Sequence, residues 1–269
     1  MEANEALPVD EAGGRGRTSP LLDRPYVREA GELLLVAMAF LLYFIVRGQV
    51  VDRPDVAIAH ALDVVEIERG LGVFWEPSWQ RSILDSIFWV KVWNFVYFWL
   101  DFPLIAALGL LMYARRRSEY TFTRDAILFS GALALIVYNL YPVAPPRLLE
   151  GIGVIDTLQK YNNLSYQAQS TQFFVNPYGA LPSLHVGWSI LVAIGVLRAF
   201  GRRWWVWPLA LLHPVTQSAS TVFTGNHYFL DGAAGVAVAA AGLMFAIAMG
   251  RWGYAAVRVW AGTSGASLE

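Results

Sequence analysis

Imidazole, carboxylate and guanidinium groups recur in this sequence at positions where an apolar chain has little reason to keep them. His227 and Asp231 stand four residues apart in Thr224-Gly225-Asn226-His227-Tyr228-Phe229-Leu230-Asp231-Gly232, a spacing that brings both to one helical face within hydrogen-bond reach. Asn226 reads as the helix N-cap, which puts His227 in the first turn, where free N–H groups and the helix dipole favour anions. A histidine steadied by a carboxylate there suits a nucleophile or base that handles an anionic group. A capped helix with an incidental His–Asp pair describes the same residues equally well.

Two more motifs bear similar groups. Leu181-Pro182-Ser183-Leu184-His185 opens another apolar run, so His185 also starts a helix. Pro142-Val-Ala-Pro-Pro-Arg147 ends in an arginine after a proline-stiffened turn, and its planar fork suits a phosphate. His213, Gln217, Ser220, Thr221 and Thr224 fall close to one helical stripe that can line a cavity beneath these motifs. Lys91, Asn94 and Asp101 share a face of an earlier run, and Asp101 lies deep in it, where it can pair with Asn94, Lys91 or His213. Plainer readings exist for each piece. Pro182 and Ser183 can simply begin a helix with His185 at an interface, Arg147 can meet a lipid headgroup, and His213 can repair the kink at Pro214.

The elements that must position these groups follow from composition. The 269 residues are 56% hydrophobic and only 15% charged, against roughly a quarter charged in soluble domains. Without cysteine there is no disulfide, thiolate nucleophile or cysteine-based metal site. Residues 1 to about 30 read as a disordered tail and residues 256–269 as a second tail. Between them, 31–255 form one all-α membrane domain of six spans: Leu33–Val51, about Ser86–Met112, about Ala126–Tyr141, Pro182 to about Ala199, Trp204 to about Phe223, and His227–Met249. Residues 52–85 carry seven acids (Asp52, Asp55, Asp63, Glu66, Glu68, Glu76 and Asp85) and fit a short interfacial helix. Pro54 begins that helix, Ile58, Leu62 and Val65 form its apolar face, Gly70 or Gly72 ends it, and Trp75 and Trp79 follow at headgroup depth. The stretch 142–180 has no spanning run and reads as a lid or binding loop; Tyr161, Asn162, Asn163, Gln167, Gln169 and Asn176 can bind a hydroxylated acceptor there.

Six spans place both termini on one side. The tail arginines, Arg115–Arg117, Arg198–Arg203 and Arg251 make that side the basic, cytoplasmic one; Arg53, Arg69, Arg81, Arg147 and Lys160 are spread thinly over the outer loops. All three motifs then fall at the outer face.

Ala180-Leu-Pro-Ser-Leu-His185 followed by Gly225-Asn-His-Tyr-Phe-Leu-Asp231 resembles the second and third signature motifs of the type 2 phosphatidic acid phosphatase superfamily. With Pro142–Arg147 upstream, the chain looks most like the branch that holds inositol phosphorylceramide synthases, over roughly residues 85–250. The resemblance implies a six-helix bundle and metal-independent phosphoryl transfer, without cofactor, through a phosphohistidine. His227 would be the nucleophile, Asp231 its orienting partner and His185 the general acid, with Arg147, Ser183 and Asn226 around the phosphate. The implied partners are a lipid phosphate or phospholipid donor, a polyol acceptor or water, and the bilayer; nucleic acid is not among them. The chain departs from the family pattern at Leu140 and Thr221, where many relatives carry lysine and arginine, and at Leu184, where many carry glycine. Lys91 is the candidate substitute. These departures favour a phosphotransferase over a plain phosphatase of phosphatidic acid or a polyprenyl phosphate. A haem-binding or transport protein with histidines on several spans is the rival from another class, and it leaves the motif contexts unexplained.

Overall fold

The computed structural model describes residues 25–50, 53–162 and 177–256. Among these the chain is helical apart from loops and one isolated parallel bridge between Val143 and Gly179, in keeping with the all-α expectation. In chain order the helices are α1 (Pro25–Val50), α2 (Pro54–Leu71), α3 (Glu76–Leu84), α4 (Ile87–Trp99), α5 (Phe102–Arg115), α6 (Arg117–Leu140), α7 (Thr157–Asn162), α8 (Leu184–Phe200), α9 (Val206–Phe223) and α10 (Phe229–Ala248). A 3-10 turn covers Pro146–Leu148, and a π turn, Met249–Gly253, prolongs α10.

α6, α8, α9 and α10 form the central bundle: α10 packs on α6 and α8, and α8 also packs on α6 and α9. Glycines let these helices approach closely. A Cβ at Gly235 of α10 would stand 2.2 Å from the Ser183 carbonyl oxygen, and one at Gly187 of α8 would stand 2.7 Å from the Gly235 carbonyl. The N-terminal end of α8 and that of α10 are thereby pressed together. At the opposite end, Arg198 bonds Glu119 at 2.8 Å and Arg116 donates to the Ala199 carbonyl at 3.1 Å. Arg116 and Arg198 thus stand at one end of the bundle and the three motifs at the other.

Several expectations are corrected. α1 begins at Pro25, inside the expected tail, because Glu29 pairs with Arg117 at 2.8 Å and Glu32 with Arg124 and Tyr120. The rest of that tail, and the C-terminal tail apart from residue 256, lie outside the described residues, as do Asn163, Gln167, Gln169 and Asn176. The span expected over Ser86–Met112 is two helices bent by 44°. Pro103, in the first turn of α5, lacks an N–H and its ring crowds the preceding turn, so α4 cannot run on. α2 starts at Pro54 and ends at Gly72 as expected, the φ of 72° there suiting glycine; its buried face is Ala57, Ala61, Val64, Val65 and Glu68, and Ile58 and Leu62 are exposed. Small residues win that face because α2 lies close against the loop after α6: the Ala57 carbonyl accepts from Ala144 N–H at 3.0 Å.

By length and composition α6 and the helix from Phe229 to Ala256 can cross a membrane, and the bent α4–α5 pair makes a third if taken as one span. α8 is apolar but shorter, and in α9 the apolar sequence is interrupted by His213, Thr216, Gln217, Ser218, Ser220 and Thr221.

Candidate active site

The three motifs are tied together through backbone. Val143 N–H donates to the Tyr178 carbonyl at 2.9 Å and Ala180 N–H to the Val143 carbonyl at 3.1 Å, which joins the first motif to the second. Ser183 N–H donates to the Asp231 carbonyl and Arg147 N–H to the Gly225 carbonyl, both at 2.9 Å, which joins each to the third.

The third motif is built differently from its sequence reading. Asn226 is not a helix cap, and His227 is not in a first turn; α10 begins at Phe229 after an extended Tyr228. Asn226 and His227 instead give their N–H groups to the Thr221 carbonyl at 2.9 and 3.2 Å, so they close the C-terminal end of α9. Gly225, at φ 75°, makes the turn that permits this, and a Cβ there would stand 2.9 Å from the Ile155 carbonyl oxygen. The Asn226 side chain donates to Thr224 Oγ1 at 2.8 Å. Asp231 caps α10 itself, accepting from Tyr228 N–H at 2.9 Å.

His227 is buried, with its Nδ1 2.8 Å from the Ala180 carbonyl and 3.3 Å from Asp231 Oδ2. A carbonyl only accepts, so Nδ1 carries the proton and Nε2 is left with a lone pair. The backbone carbonyl is thus the nearer orienting partner and Asp231 the second. Burial pushes the His227 pKa down to about 4; the Ala180 bond opposes this and the Arg147 charge adds to it. A neutral imidazole with a free Nε2 is the form that attacks phosphorus.

Nε2 faces His185 Nδ1 at 3.3 Å. His185 sits in the first turn of α8, whose N-cap is Ser183; the Ser183 hydroxyl accepts from Val186 N–H at 3.4 Å. The far nitrogen of His185, Nε2, lies 3.3 Å from Asp101 Oδ2, and Tyr97 stacks on the ring with centroids 4.4 Å apart. Asp101 therefore pairs with His185 and not with Asn94, Lys91 or His213, because the break after α4 swings it out of helical register. The Arg147 side chain is nearly buried and its Nε is 3.3 Å from Asp156 Oδ2. Asp156 is placed by its neighbours: Gln80 exchanges two 2.8 Å bonds with Ile155, and Asn94 and Thr157 bond each other at 2.7 Å.

Of the expected cavity residues, Lys91 is exposed. His213 and Gln217 are buried against the break rather than around an open cavity or at the Pro214 kink: His213 Nε2 donates to the Leu100 carbonyl at 2.7 Å and Gln217 to that of Tyr97 at 3.3 Å. They satisfy carbonyls that a broken helix leaves open. Thr221 lines an apolar groove of about 540 Å³ beside the site, together with Val186, Val222, Tyr228, Gly232 and Val236.

Glu68 and Glu76 were not singled out by sequence. Both are fully buried, and they accept from the first backbone N–H groups of α10. Neither glutamate lies near a motif in the sequence, so nothing local signals this; only the folded placement of α2 and α3 beside the start of α10 reveals it. Among the described residues no group of three or more His, Asp or Glu side chains is arranged to hold a metal ion.

The family model of the PAP2 superfamily matches residues 62–245. A curated relative, phosphoinositol dihydroceramide synthase of Bacteroides thetaiotaomicron, is 23% identical over 162 residues, covering 55% of this chain and 52% of the relative. The chain thus spans about half the length of that relative. No solved structure matches it at a significant level. The family match extends from α2, which helps cap α10, to the far end of α10 and takes in all three motifs, and on that match the chain belongs to the PAP2 superfamily.

Proposed function

We propose that this protein is a membrane-embedded lipid phosphotransferase or phosphatase that works through a phosphohistidine on His227. The observation that carries the reading is the bare Nε2 of His227, fixed by the Ala180 carbonyl and aimed at a second histidine. In the first half-reaction Nε2 attacks phosphorus, the bond to the leaving oxygen breaks, and His185 gives that oxygen a proton. In the second, an alcohol or water returns the proton to His185 as its oxygen displaces Nε2. The Arg147 charge acts on His227 and, in this reading, holds the phosphate oxygens together with Ser183 and Asn226.

The apolar groove along Val186, Val222, Gly232 and Val236 suits the acyl chains of a lipid donor. The six crossings remain part of this reading, with basic ends on the cytoplasmic side and the site at the outer face. The name of the curated relative supports an inositol-like polyol as acceptor. Product analysis tests the choice: purified protein is given a phospholipid donor with and without inositol. A new inositol phosphate or phosphoinositol lipid that appears only with inositol supports the transferase; inorganic phosphate released at the same rate either way supports the plain phosphatase. Undiminished turnover in His227→Ala or His185→Ala contradicts the site.

A further inference from the structure

We propose that Asp101 is a positioning residue that holds His185 as the proton donor, and that the break between α4 and α5 is the device that brings it there. The inference rests on the reading of His185 as the acid of phosphoryl transfer. The hydrogen-bond chain Asp101–His185–His227–Ala180 has a forced direction. Ala180 accepts, so His227 Nδ1 donates and His227 Nε2 accepts. His185 Nδ1 must then be the donor across the 3.3 Å contact. A proton on Nδ1 leaves one more shared between His185 Nε2 and Asp101 Oδ2. Asp101 thus fixes which nitrogen faces the nucleophile and keeps it protonated. Two nitrogens 3.3 Å apart leave no room for a phosphoryl group, so substrate entry parts the rings while Nε2 stays tethered to Asp101.

The surroundings of Asp101 follow the same logic. In an unbroken helix its carboxylate would follow the α4 register. Pro103 stops α4, His213 holds the Leu100 carbonyl beside the break and Gln217 the Tyr97 carbonyl one turn earlier. Those two bonds fix Tyr97 and Asp101, which grip His185 by its face and its edge. The buried stripe of α9 thus serves the acid through the break. The ionisable groups facing His185 are Asp101, His227 and Tyr97.

The test uses the full chain in detergent micelles and two probes. p-Nitrophenyl phosphate has a leaving group that needs no proton, whereas the diacylglycerol leaving group of phosphatidic acid does. Asp101→Asn should lower kcat on phosphatidic acid roughly 100-fold with KM little changed. It should largely spare p-nitrophenyl phosphate and move the alkaline limb of the kcat profile to lower pH. Asp101→Glu should recover part of the loss, and adding Asp101→Asn to His185→Ala should cost nothing further. Equal losses on both probes, or a double variant slower than His185→Ala, would overturn the inference. If the wild type turns over neither probe, it is the transfer reading that fails. Histidine 15N spectra then still decide on Asp101: its substitution should move the His185 resonances and leave His60 in place, and an unmoved His185 overturns the inference.

Discussion

Glu68 of α2 and Glu76 of α3 accept from consecutive backbone N–H groups at the start of α10, Leu230 at 2.7 Å and Phe229 at 2.9 Å. Two helices outside the central bundle thus supply the cap of the helix that follows the nucleophile. Glu68 Oε2 and Glu76 Oε2 are both buried with no hydrogen-bond partner among the described residues. Burial, then the neighbouring Glu76 carboxyl, pushes the Glu68 pKa from 4.5 up to about 9.

This arrangement has a pH signature. The native state holds a proton on Glu68 that the unfolded chain releases near 4.5, so the stabilisation is complete below that pH and is lost as pH rises towards 9. Thermal melts in detergent should show stability declining between about pH 5 and 9. Glu68→Gln, neutral at every pH, should flatten that decline. An unchanged slope in the variant would count against a proton held on Glu68.

Gly235 sets the distance between the two histidine-bearing segments. Gly235→Ala places a Cβ against the Ser183 carbonyl, 2.2 Å away before any relaxation. Overpacking of this kind costs about 1–3 kcal/mol, and the shift should also lower kcat because His185 moves with Ser183. Gly109 of α5, with nothing within 4 Å of its would-be Cβ, is the control. Gly109→Ala should leave both thermal midpoint and turnover near wild type.

Arg147 meets Asp156 through Nε at 3.3 Å, and its backbone N–H is anchored on the Gly225 carbonyl. Arg147→Lys keeps the charge and loses the planar fork, so KM for a phosphoester should rise about tenfold, the effect of roughly 1.4 kcal/mol. Arg147→Ala should be worse in both KM and kcat. Equal kinetics for Lys and Arg would show that charge alone suffices.

The sequence was most legible where spacing carried the information. Motif spacing singles out His185, His227, Asp231 and Arg147; His227 lies 3.3 Å from both His185 and Asp231, and Arg147 joins their segment through the Gly225 carbonyl. It was less legible where one local preference competed with another. Asn226 is a favoured capping residue, but the Thr221 carbonyl takes its N–H, so the cap passes to Asp231. Pro103 was hidden in a long apolar run whose length outweighed the proline. Asp101 therefore seemed to share a face with Lys91, when the 44° bend turns it towards His185. Ile58 and Leu62 recur at helical spacing and stay exposed, while α2 turns the smaller Ala57 and Ala61 inward against the neighbouring loop. Glu68 and Glu76 were simply two of seven acids, because the N–H groups they serve lie more than a hundred and fifty residues away.

The central claim is covalent attachment to His227, and trapping the intermediate tests it most directly. Protein quenched during turnover of a phospholipid donor should carry one phosphoryl or phospho-headgroup adduct by intact mass. Peptide mapping should place the adduct on His227, and His227→Ala should lack it. An adduct on another residue, or full turnover with no adduct at any quench time, would contradict the account.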